Sequence, residues 1–245
     1  MSADSPTGVL ILTAISEDLD IGAILGRASR IHYKWRGAVG AQIGTTDVVI
    51  AATGDGAKKA GERAAAFCDG LRPLAVVGAG IAGALSPGLG AGAIVASSRV
   101  RDSSGDAPAP DARLLARALE AGAAAATLLT VAKPVTAAAE KRRLAASLEG
   151  PSAVDMESAA WARVAASRGI PYLVVRSISD QADEDLPDYL AACMGEDGTI
   201  RRGAVVARAL VRPSRIRELV RLRRRVLDCA RGLSLFLERF LADGL

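Results

Sequence analysis

Aromatic side chains are scarce in this chain. Three Phe, three Tyr and two Trp make up 3% of its 245 residues. A nucleic-acid surface built on stacked aromatics is therefore excluded. Histidine is scarcer still: His32 is the only one. Multi-histidine zinc sites are excluded, and so is Ser-His-Asp chemistry unless His32 itself serves. His32 falls in an apparent strand, Ile31–Trp35, and reads as structural. The three cysteines, Cys68, Cys193 and Cys229, are odd in number and far apart, without a CxxC or metal spacing. That argues against a disulfide framework and for a reducing, cytoplasmic setting, with the thiols acting as small buried apolar groups. The opening residues MSADSPTG lack a basic flank followed by an apolar run, so no signal peptide is expected. No run of about 18 apolar residues is free of charge, Gly or Pro, so no membrane span is expected.

What is present is aliphatic. Half of the residues are hydrophobic and 25 are glycine. The core must be built from Ala, Val, Leu and Ile, and the length suits one domain over residues 1–245. Short apolar runs predict buried strands at Gly8–Thr13, at two or three places within 31–53, at Leu74–Val77, Gly92–Ser98, near 127–132 and at Tyr172–Ile178. Helices are predicted from the SEDLD stretch to about Arg27, and over Ala57–Asp69, 111–122, 137–148 and Met156–Arg168. This alternation argues for an α/β fold with a largely parallel sheet covered on both faces.

Charge is uneven. Residues 201–245 hold twelve arginines against four acidic residues, while the net charge of the whole chain is only +4. Pro213-Ser214 opens a long helix, predicted over 214–242. Its residues Ile216, Leu219, Val220, Val226, Leu227, Ala230, Leu233, Leu237, Phe240 and Leu241 form an apolar stripe at a period near 3.6. The simplest reading is a docked helix whose arginines face water. A membrane or nucleic-acid role for the basic face is the alternative.

Gly78-Ala79-Gly80-Ile81-Ala82-Gly83 spells G-x-G-x-x-G after a strand. A dinucleotide fingerprint needs a helix to start within this turn. Ser86-Pro87-Gly88-Leu89-Gly90 breaks any such helix. The glycines are instead expected to form a loop at a strand end, where bare backbone amides of Gly80, Ile81 and Ala82 approach a ligand.

Two segments carry candidate chemistry. Val154-Asp155-Met156-Glu157-Ser158 places acids at a strand-to-helix junction. Arg176-Ser177-Ile178-Ser179-Asp180-Gln181-Ala182-Asp183 places another acid where an apolar strand ends. Carboxyl ends of parallel strands are where α/β sheets bind ligands. A partly desolvated acid there can serve as a proton donor. Equally, Asp155 and Glu157 suit a helix N-terminus for electrostatic reasons alone.

VDMESAA followed by YLVVRSISDQAD, with Glu157 and Asp180 separated by 23 positions, resembles the nucleoside phosphorylase / nucleosidase family that includes methylthioadenosine/S-adenosylhomocysteine nucleosidase. GAGIAGALSPGLGAGAIVAS (Gly78–Ser97), ILTAISEDL (Leu10–Leu19) and ATGDGAKKA (Ala52–Ala60) match further signatures of that family in order. The resemblance implies a three-layer α/β/α fold around a mixed, partly barrel-like sheet. It implies cleavage of a purine N-glycosidic bond without metal or cofactor, and a homodimer or larger homo-oligomer. By the same resemblance Asp180 protonates the purine at N7 and Ser179 orients it. Glu157 binds the ribose hydroxyls, and Met156 packs beneath the sugar. The helix start at Gly54-Asp55-Gly56 could help hold an anion or a ribose.

Phosphorylases of the family hold phosphate with arginines where this chain has Glu17 and Gly78, neither of which offers a guanidinium. Hydrolases carry a water-activating acid in the first loop, where Glu17 and Asp18 both lie. Hydrolysis is the favoured expectation, with either acid as base. Phosphorolysis, using phosphate bound by Arg36, Arg99 or Arg101, is the alternative, and a non-catalytic nucleoside-binding module is a second. The hydrolases stack the base on a Phe, but Val131–Val135 has no aromatic. The tail, with LPDYL, Arg212-Pro213 and an Arg-rich helix, resembles the hopanoid-associated branch, linked to removal of adenine from a lipid-bearing nucleoside. That likeness suggests peripheral membrane contact through the helix.

Overall fold

The computed structural model describes residues 8–14, 37–187, 190, 193, 203, 213–242 and 244, and the backbone alone of residues 30–35 and 213–214. The stretch expected to hold the first helix, with Glu17 and Asp18, lies outside the described residues, as do Arg36 and the side chain of His32.

Ten strands build one sheet. In chain order they are β1 (Val9–Thr13), β2 (Arg30–Trp35), β3 (Ala38–Ile43), β4 (Thr46–Ala52), β5 (Ala75–Ala84), β6 (Ile94–Asp102), β7 (Gly105–Asp106), β8 (Ala124–Thr130), β9 (Ser152–Asp155) and β10 (Tyr172–Asp180). Among the described residues five helices accompany them: α1 (Ala57–Leu71), α2 (Ala112–Glu120), α3 (Ala138–Ala145), α4 (Ser158–Ala166) and α5 (Pro213–Leu241).

The sheet is mixed. β5 pairs in parallel with β1 and β10, and antiparallel with β9. β9 then pairs in parallel with β8, and β8 with β6. β6 returns to β10 in antiparallel fashion. Strands β5, β9, β8, β6 and β10 therefore close into a ring, and β1, β4, β3 and β2 extend outward from β5. The aliphatic runs explain the closure. β10 is buried along its whole length, as a strand must be when both its edges and both its faces are covered.

The glycine-rich run departs from its expected form. It is strand, not turn: β5 runs on through Ala84. Pairing with β10 extends from Tyr172↔Val76 to Asp180↔Gly83. Glycine is used here for close approach rather than for a turn. A Cβ on Gly78 would lie 2.7 Å from Cε3 of Trp161, and one on Gly83 would lie 2.9 Å from Oδ2 of Asp180. A run of small residues hides the period-two signal of a strand, so its length is not visible in the sequence.

Helix α5 divides in two. Its C-terminal half enters the core through Leu233, Phe236, Leu237, Phe240 and Leu241, all buried. Phe236 and Phe240 stack with centroids 5.8 Å apart. Thr46 donates to the carbonyl of Leu241 at 2.6 Å, and Arg117 donates to that of Phe240 at 3.2 Å. The N-terminal half is different. Ile216 and Val220, expected on the buried stripe, are 38% and 45% exposed. Among the described residues, the cavity takes up Leu219, Val226 and Leu227 of the stripe there, together with Leu222, so only one edge of it is covered. Among the described residues no helix is long and apolar enough to cross a membrane.

Candidate active site

Both acid-bearing segments end at one cavity of about 540 Å³. Its floor is the ends of β5, β9 and β10: Ile81, Ala82, Gly83, Val154, Asp155, Arg176, Ser179 and Asp180. Met156, Glu157, Asp55 and Ala14 form one side, and Val131, Pro134 and Val135 another. The roof is aliphatic, from Leu219, Leu222, Val226 and Leu227 of α5 with Leu186 and Leu190, and Arg223 also lines it. Of the sequence-derived candidates, Met156, Glu157, Ser179, Asp180, Ile81 and Ala82 thus surround one space. Gly54 and Gly80 are not among its lining residues. Gly80 is paired within the sheet opposite Arg176, and the Gly54 N–H donates to the carbonyl of Ala14 at 2.8 Å.

Each acid is held by its own buried network. Glu157 stands at the N-terminus of α4, yet it makes no side-chain cap there. Its Oε1 instead accepts the N–H of Gly56 at 3.0 Å. This donor opens α1, where the helix dipole favours a carboxylate. The Gly56 N–H is thus engaged by protein, so the expected role of this turn in holding an anion does not extend to it. Asp155 takes the capping duty. Its Oδ1 accepts from Thr130 at 2.8 Å and from the N–H of Ser158 at 3.3 Å.

Arg176 ties these acids together. Its Nη2 lies 2.8 Å from Asp155, 3.7 Å from Glu157 and 3.0 Å from Ser158 Oγ. Its guanidinium sits over Trp161, 4.9 Å from the ring centroid, a cation–π arrangement. The side chain is 1% exposed. A buried charge is tolerated only when paired and hydrogen-bonded, and this one is both. Trp161 is accordingly a core residue.

Asp180 is 3% exposed. Its Oδ1 is 2.5 Å from Ser179 Oγ, which therefore orients it. Its Oδ2 is 2.5 Å from Nζ of Lys141. Lys141 lies on α3 and was not legible as a site residue. In Glu140-Lys141-Arg142-Arg143 it reads as one charge of a solvated helix, yet it is wholly buried. Its burial comes from the chain after β10, which folds onto α3. Asp185 accepts the N–H of Ala138 at 2.7 Å, and the Leu186 N–H donates to Thr136 at 2.7 Å. Arg225 of α5 completes the enclosure, binding Glu184 at 2.6 Å and donating to the Ser179 carbonyl at 3.3 Å.

The alternative phosphate ligands lie elsewhere. Arg101 pairs with Asp106 at 3.2 Å and Arg99 with the same residue at 4.0 Å, and neither lines the cavity. No ring comes from Val131–Val135; the wall there is aliphatic. Among the described residues no group of three His, Cys, Asp or Glu side chains is placed to hold a metal ion.

Comparisons with known proteins give the family and the fold. The Phosphorylase superfamily profile matches residues 25–212, and the chain belongs to that family. A 5'-methylthioadenosine/S-adenosylhomocysteine nucleosidase of Shewanella halifaxensis is 28% identical, with 61% of this chain and 75% of the relative covered. Among solved structures, the corresponding nucleosidase of S. pneumoniae with a transition-state inhibitor superposes with a TM-score of 0.73 at 17% identity, covering 96% of this chain and 99% of the other. Helicobacter pylori futalosine hydrolase superposes with a TM-score of 0.70 at 18% identity, covering 96% and 98%. The fold shared with these structures is the three-layer arrangement around a mixed, closed sheet.

Proposed function

We propose that this protein cleaves the N-glycosidic bond of a purine nucleoside, with adenine as the base and water as the acceptor. The observation that carries the reading is the placement of Asp180 and Glu157 on one apolar-walled cavity, each fixed by a buried cation. The transition state of such a cleavage is oxocarbenium-like. Positive charge grows on the ribose while electrons flow into the purine. Asp180, aligned by Ser179, supplies the proton to N7, so the base departs neutral. Glu157, aligned by Gly56 and Arg176, accepts hydrogen bonds from the ribose hydroxyls. Met156 packs beneath the sugar.

Hydrolysis is favoured over phosphorolysis by the position of Gly78. It lies under Trp161, where even a Cβ would meet the ring at 2.7 Å. An arginine has no room there. Arg176 faces the cavity but is already engaged by two acids. Glu17 or Asp18 is the proposed water-activating base.

The aliphatic roof supports a further reading of the substrate, that the ribose 5′ position bears an apolar group. Leu219, Leu222, Val226 and Leu227 line the cavity and offer no hydrogen bond to a polar substituent. This suits the lipid-bearing nucleoside implied by the tail's resemblance. Contact of the basic helix face with an anionic membrane accompanies that reading.

The test is incubation with methylthioadenosine, S-adenosylhomocysteine, adenosine and inosine, with and without phosphate. Free adenine released without phosphate is the expected result. Strict phosphate dependence refutes the hydrolytic assignment. Asp180→Asn is expected to slow turnover by ~10²–10⁴-fold, and an undiminished rate refutes its role as proton donor.

A further inference from the structure

Lys141 belongs to neither acid-bearing motif and is not among the residues that line the cavity. It stands behind Asp180. Its Nζ lies 2.5 Å from Asp180 Oδ2, 2.7 Å from the Gln181 carbonyl and 2.9 Å from the Glu184 carbonyl. An ammonium has three protons, and three acceptors are present.

The same three contacts suit a second distribution of protons. If one moves from Nζ to Oδ2, the amine keeps two N–H groups for the two carbonyls, and its lone pair accepts from the new Oδ2–H. No heavy atom need move. Oδ2 is also the oxygen beside Gly83, a cavity-lining residue.

We propose that Lys141 is the proton reservoir of Asp180, so that the pair, not the isolated carboxyl, is the acid that protonates the departing purine. This rests on the reading of Asp180 as proton donor. The argument is one of proton counting. With the two carbonyls holding two of the protons, one proton is left for the contact between Nζ and Oδ2. A carboxyl protonated on Oδ2 while Lys141 kept all three would put two protons between atoms 2.5 Å apart, where only one fits. The proton delivered to the base is therefore the shared one. An Nζ–H bond breaks as Oδ2–H forms. The new hydroxyl turns about its C–O bond from Nζ toward the cavity, and Oδ2–H breaks as N7–H forms while the glycosidic electron pair moves onto the purine. The remaining amine and carboxylate regain a proton from water once the base has left. Lys141 acts through Asp180 and is a positioning residue.

The other charged groups near the pair are already engaged. Glu184 is bound by Arg225 of α5, and Asp185 accepts the α3 N–H of Ala138. Asp155 and Glu157 are bound by Arg176. Cys229 of α5 donates to the Ile178 carbonyl, and burial holds its thiol above the usual range. Arg223 lines the cavity roof. On α3 itself, Glu140, Arg142 and Arg143 are exposed.

The experiment is the pH dependence of the single-turnover rate with methylthioadenosine. The wild-type rate is expected to hold into the ammonium range, falling only above about pH 9. In Lys141→Met the alkaline limb is expected to move down by at least about one pH unit, with KM within about threefold. Lys141→Arg keeps the charge but cannot release a proton. It is expected to lose at least about tenfold in rate at neutral pH. A folded Lys141→Met whose limb stays or moves up, or a Lys141→Arg with the wild-type rate, overturns the proposal. If neither variant folds, the wild-type profile decides: a limb in the carboxylate range overturns it. An Asp180→Asn enzyme of full activity would instead refute the parent reading. An inactive Asp180→Asn beside an unmoved Lys141→Met limb refutes the reservoir alone.

Discussion

Replacing Arg176 by methionine isolates the energetics of the network that holds Asp155 and Glu157. The substitution keeps an apolar stem over Trp161 and removes the guanidinium from a site 1% exposed. Asp155 loses a cation at 2.8 Å and Glu157 one at 3.7 Å. Asp155 keeps Thr130 and the Ser158 N–H, and Glu157 keeps the Gly56 N–H. Both carboxylates are largely buried, so water recovers little of the lost interaction. Breaking a buried ion pair by removing one partner costs about 3–5 kcal/mol. For a chain of this size each kcal/mol moves Tm by roughly 2–4 °C. Arg176→Met is therefore expected to melt roughly 6–20 °C below the wild type at pH 7. Melting followed by circular dichroism at pH 7 reads the effect. A Tm at pH 7 within about 2 °C of wild type would show that these acids do not depend on Arg176, and the account of the Glu157 network would fall.

Gly78→Ala places a methyl 2.7 Å from Trp161 Cε3 and 3.1 Å from Val174 Cγ2, so destabilisation of about 1–3 kcal/mol is expected in urea unfolding. An unchanged midpoint would contradict the close packing of β5 on α4. Glu157→Gln should raise KM and lower kcat for a ribose-bearing substrate; equal loss toward the 2′,3′-dideoxy analogue would show that it does not bind the hydroxyls. Burial of the Tyr172 phenol pushes its pKa to about 12, against about 10 in an unfolded chain. The unfolded state sheds this proton first, so the contribution is intact below about pH 10 and is lost as pH rises toward 12. Tyr172→Phe should show a shallower loss of stability across that window, and an identical slope would refute the assignment.

The acids were legible through the resemblance carried by VDMES and SISDQAD and, for Asp180, through the apolar run YLVV before it. The strand ahead of Glu157, Ser152–Asp155, is short and has no β-branched run to announce it. The cations that hold them were harder to see. Arg176 interrupts an apolar strand, an oddity visible in YLVVRSI, but nothing in the sequence says that it points at Asp155. Lys141 carries no local signal, since only the fold of residues 181–186 onto α3 buries it. The glycine run misled for a related reason. A turn and a close-packed strand both call for glycine, and only the positions of Trp161 and Asp180 tell them apart. On α5 the 3.6-residue period marked a stripe, but periodicity does not say how far along the helix a partner extends. Ile216 and Val220 are exposed for that reason, while Phe236, absent from the expected stripe, is buried.

Helix α5 has its anchor and its cover on separate turns. The anchor, from Leu233 to Leu241, is tied to Thr46 and Arg117, far from the acids in the chain. The cover, from Leu219 to Leu227, lines the cavity through Leu219, Leu222, Val226 and Leu227 and holds Glu184 and the Ser179 carbonyl through Arg225. Changes confined to Leu219, Leu222, Val226 and Leu227 can therefore reshape the cavity roof while the core anchor and the Arg225 contacts stay in place. On the proposed function, four aliphatic positions on one helix can set the substrate range while the bond being broken stays the same.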